Sequence, residues 1–265
     1  MGGPRGEADA RLVRARPLVA ALVGTLCVAA LIGATTTATA GRACLNGANE
    51  NGYSYAGHQS TYRGHGVRAT IMLTRAPDIE AGHVAGWIGV GGPGQGANGG
   101  DAWIQAGIAS MPGLPPMLYA EITREGSDPE FVVLREDVQV GRSHKIAVLE
   151  MSRRKGWWRV WVDGEPATEP VRLVGSSGRW APIATAESWN GRSAACNAFG
   201  FRFERVSVSY GGGGSWRPFV SAHRFLDDGN QLRDLAAAPA ASGVYRRTLA
   251  SASPLPYAFV ASSPG

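Results

Sequence analysis

The sequence is poor in lysine and cysteine and lacks the motifs of several common enzyme families. Lys145 and Lys155 are its only lysines, so scattered arginines carry most of the positive charge behind the formal net charge of +5. Because no block of Lys and Arg occurs, we expect no nucleic-acid partner. There is no G-x-S-x-G turn, no H-E-x-x-H pair and no P-loop, and the histidines show no helical metal-ligand spacing. We therefore expect neither a metal site nor another cofactor.

Helical periodicity is also missing between residues 43 and 210. Short alternating segments separated by Gly, Pro, Asn and Asp predict an all-β, two-sheet antiparallel sandwich of one domain. In the last segment the odd-numbered residues from Phe199 to Ser209 are expected on one side. The predicted strands cover residues 53–57, 67–74, 82–91, 101–110, 117–123, 130–136, 144–152, 157–164, 169–174, 180–189 and 199–210.

Residues 1–40 have the organisation of a secretory signal peptide. Arginines up to Arg16 precede an apolar run over 18–34, and an A-x-A site follows at 38–40. We expect a secreted, extracellular protein that is monomeric. An uncleaved signal, the alternative, would be its only contact with a membrane.

The β-sandwich is assigned to residues 41–222. The remaining residues, 223–265, are rich in Ala, Ser and Pro and follow a run of four glycines. This composition predicts a flexible C-terminal tail, with a short helix in DDGNQLRDLAAA.

The three cysteines divide into one that would leave with the signal and two that would stay. Cys27 lies in the apolar run, whereas Cys44 and Cys196 belong to the mature chain. In an oxidising compartment this pair predicts one disulfide, with two free thiols as the alternative. Closing so long a loop would contribute about 4–5 kcal/mol in the chain-entropy model.

Polar side chains interrupt three of the predicted strands. In DAWIQAGI, Trp103, Gln105 and Gly107 share one face, opposite an apolar face of Ala and Ile. Glu121 and Glu187 occupy similar positions in LYAEIT and APIATAES. Each could be an ordinary solvated residue or could line a groove, where partial burial suits a carboxylate for acid–base chemistry.

The Gly-rich stretch GVGGPGQGANGG, residues 89–100, lies between two predicted strands and does not precede a helix. It therefore predicts a hairpin loop and not a phosphate-binding loop, which needs a helix N-terminus.

Four segments resemble those of the glutamic peptidases, or eqolisins, and the last of them, CNAFGFRFERVSV, is similar to the closing strand of the family. The family has a W-x-G strand that leads into a strand ending L-Q-x-G, and the similar segment here is HVAGWIGVGGPGQGANGGDAWIQAGI. This match places Trp87 on the groove tryptophan of the family and Gln105 on its catalytic glutamine. LYAEI resembles a Y-x-W-x-E strand through Tyr119 and Glu121, and PIATAESW falls where the family has A-E-W-I-x-E, which places Glu187 on the catalytic glutamate.

The resemblance covers roughly residues 82–208 and implies a concanavalin A-like jelly roll from a bacterial secreted family. It implies an acid endopeptidase, or its inactive relative, acting on a polypeptide. Glu187 would activate water and Gln105 would bind the oxyanion. Substrate contacts are expected from Trp87, Trp103, Tyr119, Glu121 and Trp189, and Gly107 is expected to let a substrate backbone approach.

Two other functions remain open. The supply of tryptophans suits a non-catalytic concanavalin A-like module that binds a carbohydrate or cell-wall glycan by ring stacking. A glycoside hydrolase would need two carboxylates at catalytic separation, for which Glu121 and Glu125 are the candidates.

Overall fold

The computed structural model describes residues 48–219, 221–236 and 258–264, which all lie in one compact unit. These residues form seventeen strands in the described parts of the chain. The strands are β1 (Tyr53–Ser60), β2 (Gly66–Leu73), β3 (Asp78–Ile79), β4 (His83–Gly92), β5 (Ala102–Ser110), β6 (Met117–Thr123), β7 (Glu130–Arg135), β8 (Ser143–Glu150), β9 (Trp157–Val162), β10 (Glu165–Pro166), β11 (Val171–Arg172), β12 (Ile183–Trp189), β13 (Asn197–Ser209), β14 (Trp216–Pro218), β15 (Ala222–Leu226), β16 (Gln231–Ala236) and β17 (Ala258–Ser263).

The strands form two antiparallel sheets packed face to face. One sheet has seven strands in the order β15-β1-β12-β4-β5-β6-β7. The second has ten strands, and its main path runs β10-β9-β8-β2-β13-β17-β16. The predicted fold class, an all-β jelly-roll sandwich, is confirmed.

Alternation along each strand divides it between the core and the outside. On β5, Ile104 and Ile108 are fully buried between the sheets, whereas Trp103 and Gln105 lie on the opposite face. β9 alternates in the same way, with Trp158 and its even-numbered neighbours inside. The core therefore fills the space between the sheets with aliphatic and aromatic side chains, as a sandwich requires.

A β-bulge in β13 changes which residues of that strand face the core. Its pairing with β2 shifts between Glu204 and Ser207, and Arg205 there has φ of 54°. Beyond the bulge Val206 and Val208 are fully buried. The prediction that the odd-numbered residues share one side therefore holds only up to Phe203.

The chain beyond residue 222 is not a flexible tail where the structure describes it. β15 joins the edge of the seven-stranded sheet, and β17 pairs with both β13 and β16 in the second sheet. Phe259 of β17 is fully buried and stacks on Phe203 at 4.5 Å between ring centroids. The predicted short helix is wrong as well, because residues 227–236 form a turn followed by β16. The sandwich thus extends past the predicted boundary at residue 222.

Residues 1–47 lie outside the described residues, so the signal peptide and Cys44 are not described. The disulfide to Cys196 stays a prediction; the backbone N–H of Cys196 donates to Glu80 at 2.8 Å. Within the described ranges there is no helix with the length and apolar character needed to cross a membrane.

Candidate active site

One face of the seven-stranded sheet, here called the groove face, points away from the core and carries the strand residues that the sequence patterns assigned to catalysis or to substrate contact. A groove of about 730 Å³ opens on it. Strand alternation and register place seven residues on this face: Trp87, Trp103, Gln105, Tyr119, Glu121, Glu187 and Trp189.

A small apolar cluster, separate from the main core, lies on the groove face beside the groove and shares Trp87 with it. It contains Trp87 and Tyr119 with two alanines and a methionine, and Tyr55 and Ile183 pack against it. Tyr119 is 2% exposed and stacks on Phe131 at 5.0 Å. This cluster gives the polar groups beside it a rigid and partly dry support.

Glu187 of β12 is a buried carboxylate that accepts two hydrogen bonds, with Tyr55 as a further neighbour. His83 Nε2 donates to its Oε1 at 3.0 Å, and Trp87 Nε1 donates to its Oε2 at 3.2 Å. Burial raises the pKa of Tyr55, and the negative charge of Glu187 and a hydrogen bond with it raise that pKa further. Glu187 is only 7% exposed, so these donors replace most of its hydration.

Gln105 of β5 lies on the other side of Trp87. Its Nε2 donates weakly to the Tyr119 hydroxyl at 3.4 Å. Burial raises the pKa of Tyr119, and the charges of Glu187 and Glu121 raise it further. Tyr119 thus stays a neutral phenol, and its hydroxyl oxygen accepts the hydrogen bond from the Gln105 amide.

Gln105 and Glu187 do not touch each other. Gln105 is opposite Gly89 on β4, whereas Glu187 is opposite Ala85, four residues along the same strand. From strand geometry their Cα atoms are about 16 Å apart, with Trp87 between them. Two long side chains leaning inward would leave a gap that a water molecule and a peptide carbonyl, placed in line, could fill.

Glu121 of β6 adds a second carboxylate beside Gln105. The two residues are directly opposite each other in the sheet, and Trp103 Nε1 donates to Glu121 Oε1 at 2.8 Å. Burial raises the pKa of Glu121; the hydrogen bond from Trp103 opposes this, and the charge of Glu187 adds to it. The groove therefore holds two electrostatically coupled carboxylates.

Sequence patterns missed Tyr53, Tyr55 and His83. Tyr53 stacks between Tyr55 and Trp189, at 6.0 Å from each ring, and His83 lies 5.6 Å from Trp189. The i, i+2 spacing of the tyrosines in YSYAG could have indicated one shared face. No local signal links His83 to Glu187, because the two residues lie on different strands and 104 positions apart.

The expected role of Gly107 is wrong. A Cβ there would lie 2.2 Å from the backbone oxygen of Gly86 and 2.7 Å from the Cα of Trp87. Gly107 thus makes room for the neighbouring strand and not for a substrate.

The Gly-rich loop between β4 and β5 is pinned by Glu125. The carboxylate of Glu125 accepts hydrogen bonds from the backbone N–H groups of Asn98 and Gly100. Glu125 is therefore a loop anchor, which removes the Glu121 and Glu125 pair that the sequence offered for a glycoside hydrolase. Among the described residues no three His, Cys, Asp or Glu side chains come together as a metal site.

Comparison with known proteins gives structural likenesses only. No protein-family model and no curated protein matches the sequence. The fold is similar to scytalido-glutamic peptidase bound to a peptide-based transition-state analog, at 14% identity and a TM-score of 0.49, over 82% of this chain and 99% of that one. It is also similar to SCP-B, an eqolisin family member in complex with the tripeptide Ala-Ile-His, at 13% identity and a TM-score of 0.47, over 82% and 99% of the chains.

A third similar structure is the carbohydrate-binding module CBM66 from Bacillus subtilis. It is 11% identical with a TM-score of 0.31, over 56% of this chain and 83% of that one. These likenesses assign no activity to the chain, so its function has to be inferred from the groove itself.

Proposed function

We propose that the protein is a secreted, eqolisin-like endopeptidase in which Glu187 and Gln105 act together on one peptide bond. The observation that carries this proposal is their placement on one groove face, on either side of Trp87. Side chains on opposite faces of the sandwich could not share a substrate.

Glu187 is the general base and then the general acid. An ionised carboxylate has about four acceptor positions. His83, Trp87 and Tyr55 occupy up to three of them, which leaves one for a water molecule. Glu187 takes a proton from that water as the water oxygen attacks the peptide carbonyl carbon. Glu187 then returns this proton to the leaving nitrogen as the C–N bond breaks, so the products are a carboxylic acid and an amine.

Gln105 stabilises the negative charge that forms on the carbonyl oxygen. Its Nε2 has two N–H donors, and the long bond to Tyr119 occupies only one of them. The other N–H can donate a hydrogen bond to the developing oxyanion. Because the amide does not ionise, it can donate this bond at every pH.

The shape of the groove suits an extended polypeptide. Trp103 lines it on the Gln105 side, Tyr53 and Tyr55 line it on the Glu187 side, and Trp87 lies between the two. We expect a monomer, and a disulfide between Cys44 and Cys196 would tie the start of the mature chain to β13.

The test is cleavage of reduced, carboxymethylated lysozyme by the secreted mature chain from acid to neutral pH. Wild type is compared with Gln105→Ala and Glu187→Gln, and with Gln231→Ala as a matched change at an exposed position of β16 in the other sheet. We expect full activity in wild type and in Gln231→Ala, and activity lower by about a hundredfold or more in the two others. A folded wild type that cleaves nothing at any pH would refute the proposal.

A second candidate is a non-catalytic glycan-binding module. The observation that favours it is the row of stacked rings formed by Tyr55, Tyr53 and Trp189 along one side of the groove. Such rings offer apolar faces to sugars. Binding of neutral cell-wall glycan that is lost in Tyr53→Ala, without any proteolysis in wild type, would establish this function instead.

A further inference from the structure

The outer face of the ten-stranded sheet carries a cluster of cations and indoles around β9. The even-numbered residues of β9 are buried in the core, so Trp157, Arg159 and Trp161 lie on the outer side, half-buried. Lys145 of β8 and Arg172 of β11 are exposed beside this row; Arg172 is directly opposite Trp157.

Arg154, in the turn before β9, completes the cluster. Its Cζ lies 4.0 Å from the ring centroid of Trp157, a cation–π stack. Stacking holds a guanidinium flat, and its N–H donors then point outward from its edge. We call the six residues the basic face: Lys145, Arg154, Trp157, Arg159, Trp161 and Arg172.

Few acidic groups compensate this charge. Glu169 is 3.9 Å from Arg159 but almost fully exposed, so its screening effect is weak. Asp163, at the end of β9, is already bound by His144, Arg135 and the backbone N–H of Lys145. Glu165 lies further out on β10. The basic face thus keeps an excess of positive charge, whereas the groove face carries Glu121 and Glu187.

We propose that the basic face binds an anionic polysaccharide, independently of the groove. Guanidinium groups pair bidentately with carboxylate, sulfate or phosphate groups. Indole rings stack on the apolar faces of sugar rings. Trp157 and Trp161 are four residues apart on an extended strand, about 13 Å. A chain laid along β9 would meet a ring, a cation and a second ring in turn.

The same features favour a polysaccharide over a membrane. Peripheral membrane binding needs large apolar side chains that protrude from the surface. Both indoles of the basic face are half-buried, and none of the exposed large apolar side chains in the described residues belongs to β8, β9 or β11. Val174, two residues after β11, is exposed, but it is a single short side chain.

The experiment measures binding of the full mature chain to immobilised polygalacturonate at low and high salt. Wild type is compared with the double variant Arg154→Gln/Arg172→Gln and with Arg63→Gln/Arg179→Gln. The second pair has the same net charge but lies in loops outside the basic face. Trp161→Ala tests stacking, and unchanged unfolding midpoints show that each variant is folded.

We expect saturable binding that weakens with salt. Arg154→Gln/Arg172→Gln and Trp161→Ala should each lower the affinity about tenfold, since loss of a charge-assisted or stacking contact has an effect of this size. The control pair should change it less than about twofold. Absence of binding, an equal loss in the control pair, or preference for an oligothymidylate or for phosphatidylglycerol vesicles would overturn the proposal. None of these outcomes depends on peptidase activity.

Discussion

Ile104 and Gln105 are neighbours on β5, yet they belong to opposite regions of the molecule. Ile104 is fully buried among aliphatic and aromatic side chains between the two sheets. Gln105 faces a groove with two carboxylates, two tyrosines and two tryptophans. The same sheet is thus apolar on one face and chemically varied on the other. Stability should depend on the first face and function on the second.

The largest expected effect is on the groove face, at Glu187. Glu187→Gln keeps the size of the side chain but cannot accept a proton from water. Peptide hydrolysis should fall by about a hundred- to ten-thousand-fold, the usual contribution of a general base. Initial rates on a fluorogenic peptide measure this, with His223→Gln as a control at the sheet edge. Retention of more than about a tenth of the activity would contradict the assigned role.

The next effect is a difference in unfolding free energy between substitutions on the two faces of β5. Ile104→Ala should lower the free energy of unfolding by about 2–5 kcal/mol, because it leaves a cavity in the core. Gln105→Ala should lower it by less than about 1 kcal/mol, since only one long hydrogen bond is lost. Urea unfolding of both variants measures the difference. Equal losses would mean that the groove face is part of the stabilising core.

A smaller effect is expected on the pH dependence of the free energy of unfolding, through Glu121. Its pKa in the folded protein is raised from the ordinary value of 4.5, first by burial. The folded state therefore binds more protons than the unfolded state in the range just above that value, and its stability falls as pH rises through the folded pKa. Glu121→Gln should remove this fall. Urea unfolding of wild type and variant across acid to neutral pH gives the comparison, and parallel curves would contradict it.

The smallest effect is expected at Tyr119. Tyr119→Phe removes the hydroxyl that accepts a hydrogen bond from the Gln105 amide, but it keeps the ring that stacks on Phe131. We expect a loss of less than about 1 kcal/mol in unfolding free energy, since the same long hydrogen bond is lost, and a modest loss of activity. Differential scanning calorimetry and the peptide assay measure both. A loss of activity as large as that of Glu187→Gln would make Tyr119 a participant in the chemistry.

The sequence predicts the groove face well where strand alternation decides it. Gln105, Glu121 and Glu187 each sit in a clear alternating strand, so the face that each one takes follows from its neighbours. Their meeting in one groove does not follow from alternation, because it depends on β12 pairing with β4. His83 was missed for the same reason.

The C-terminal strands were missed because their burial is tertiary. Ala, Ser and Pro around β17 have the composition of a linker. Phe259 becomes a core residue only because β13 supplies Phe203 and β1 supplies His58 as its packing partners. The bulge at Arg205 was missed for a similar reason. It changes which residues of β13 face the core, and no Gly or Pro in the sequence indicates its position.

The most direct test of the central claim is a crystal structure of Glu187→Gln with a bound peptide substrate. We predict an extended peptide across β4 and β5, with one carbonyl oxygen within hydrogen-bonding distance of Gln105 Nε2 and its carbon facing residue 187. A peptide bound with no carbonyl between these two side chains, or bound outside the groove, would contradict the account.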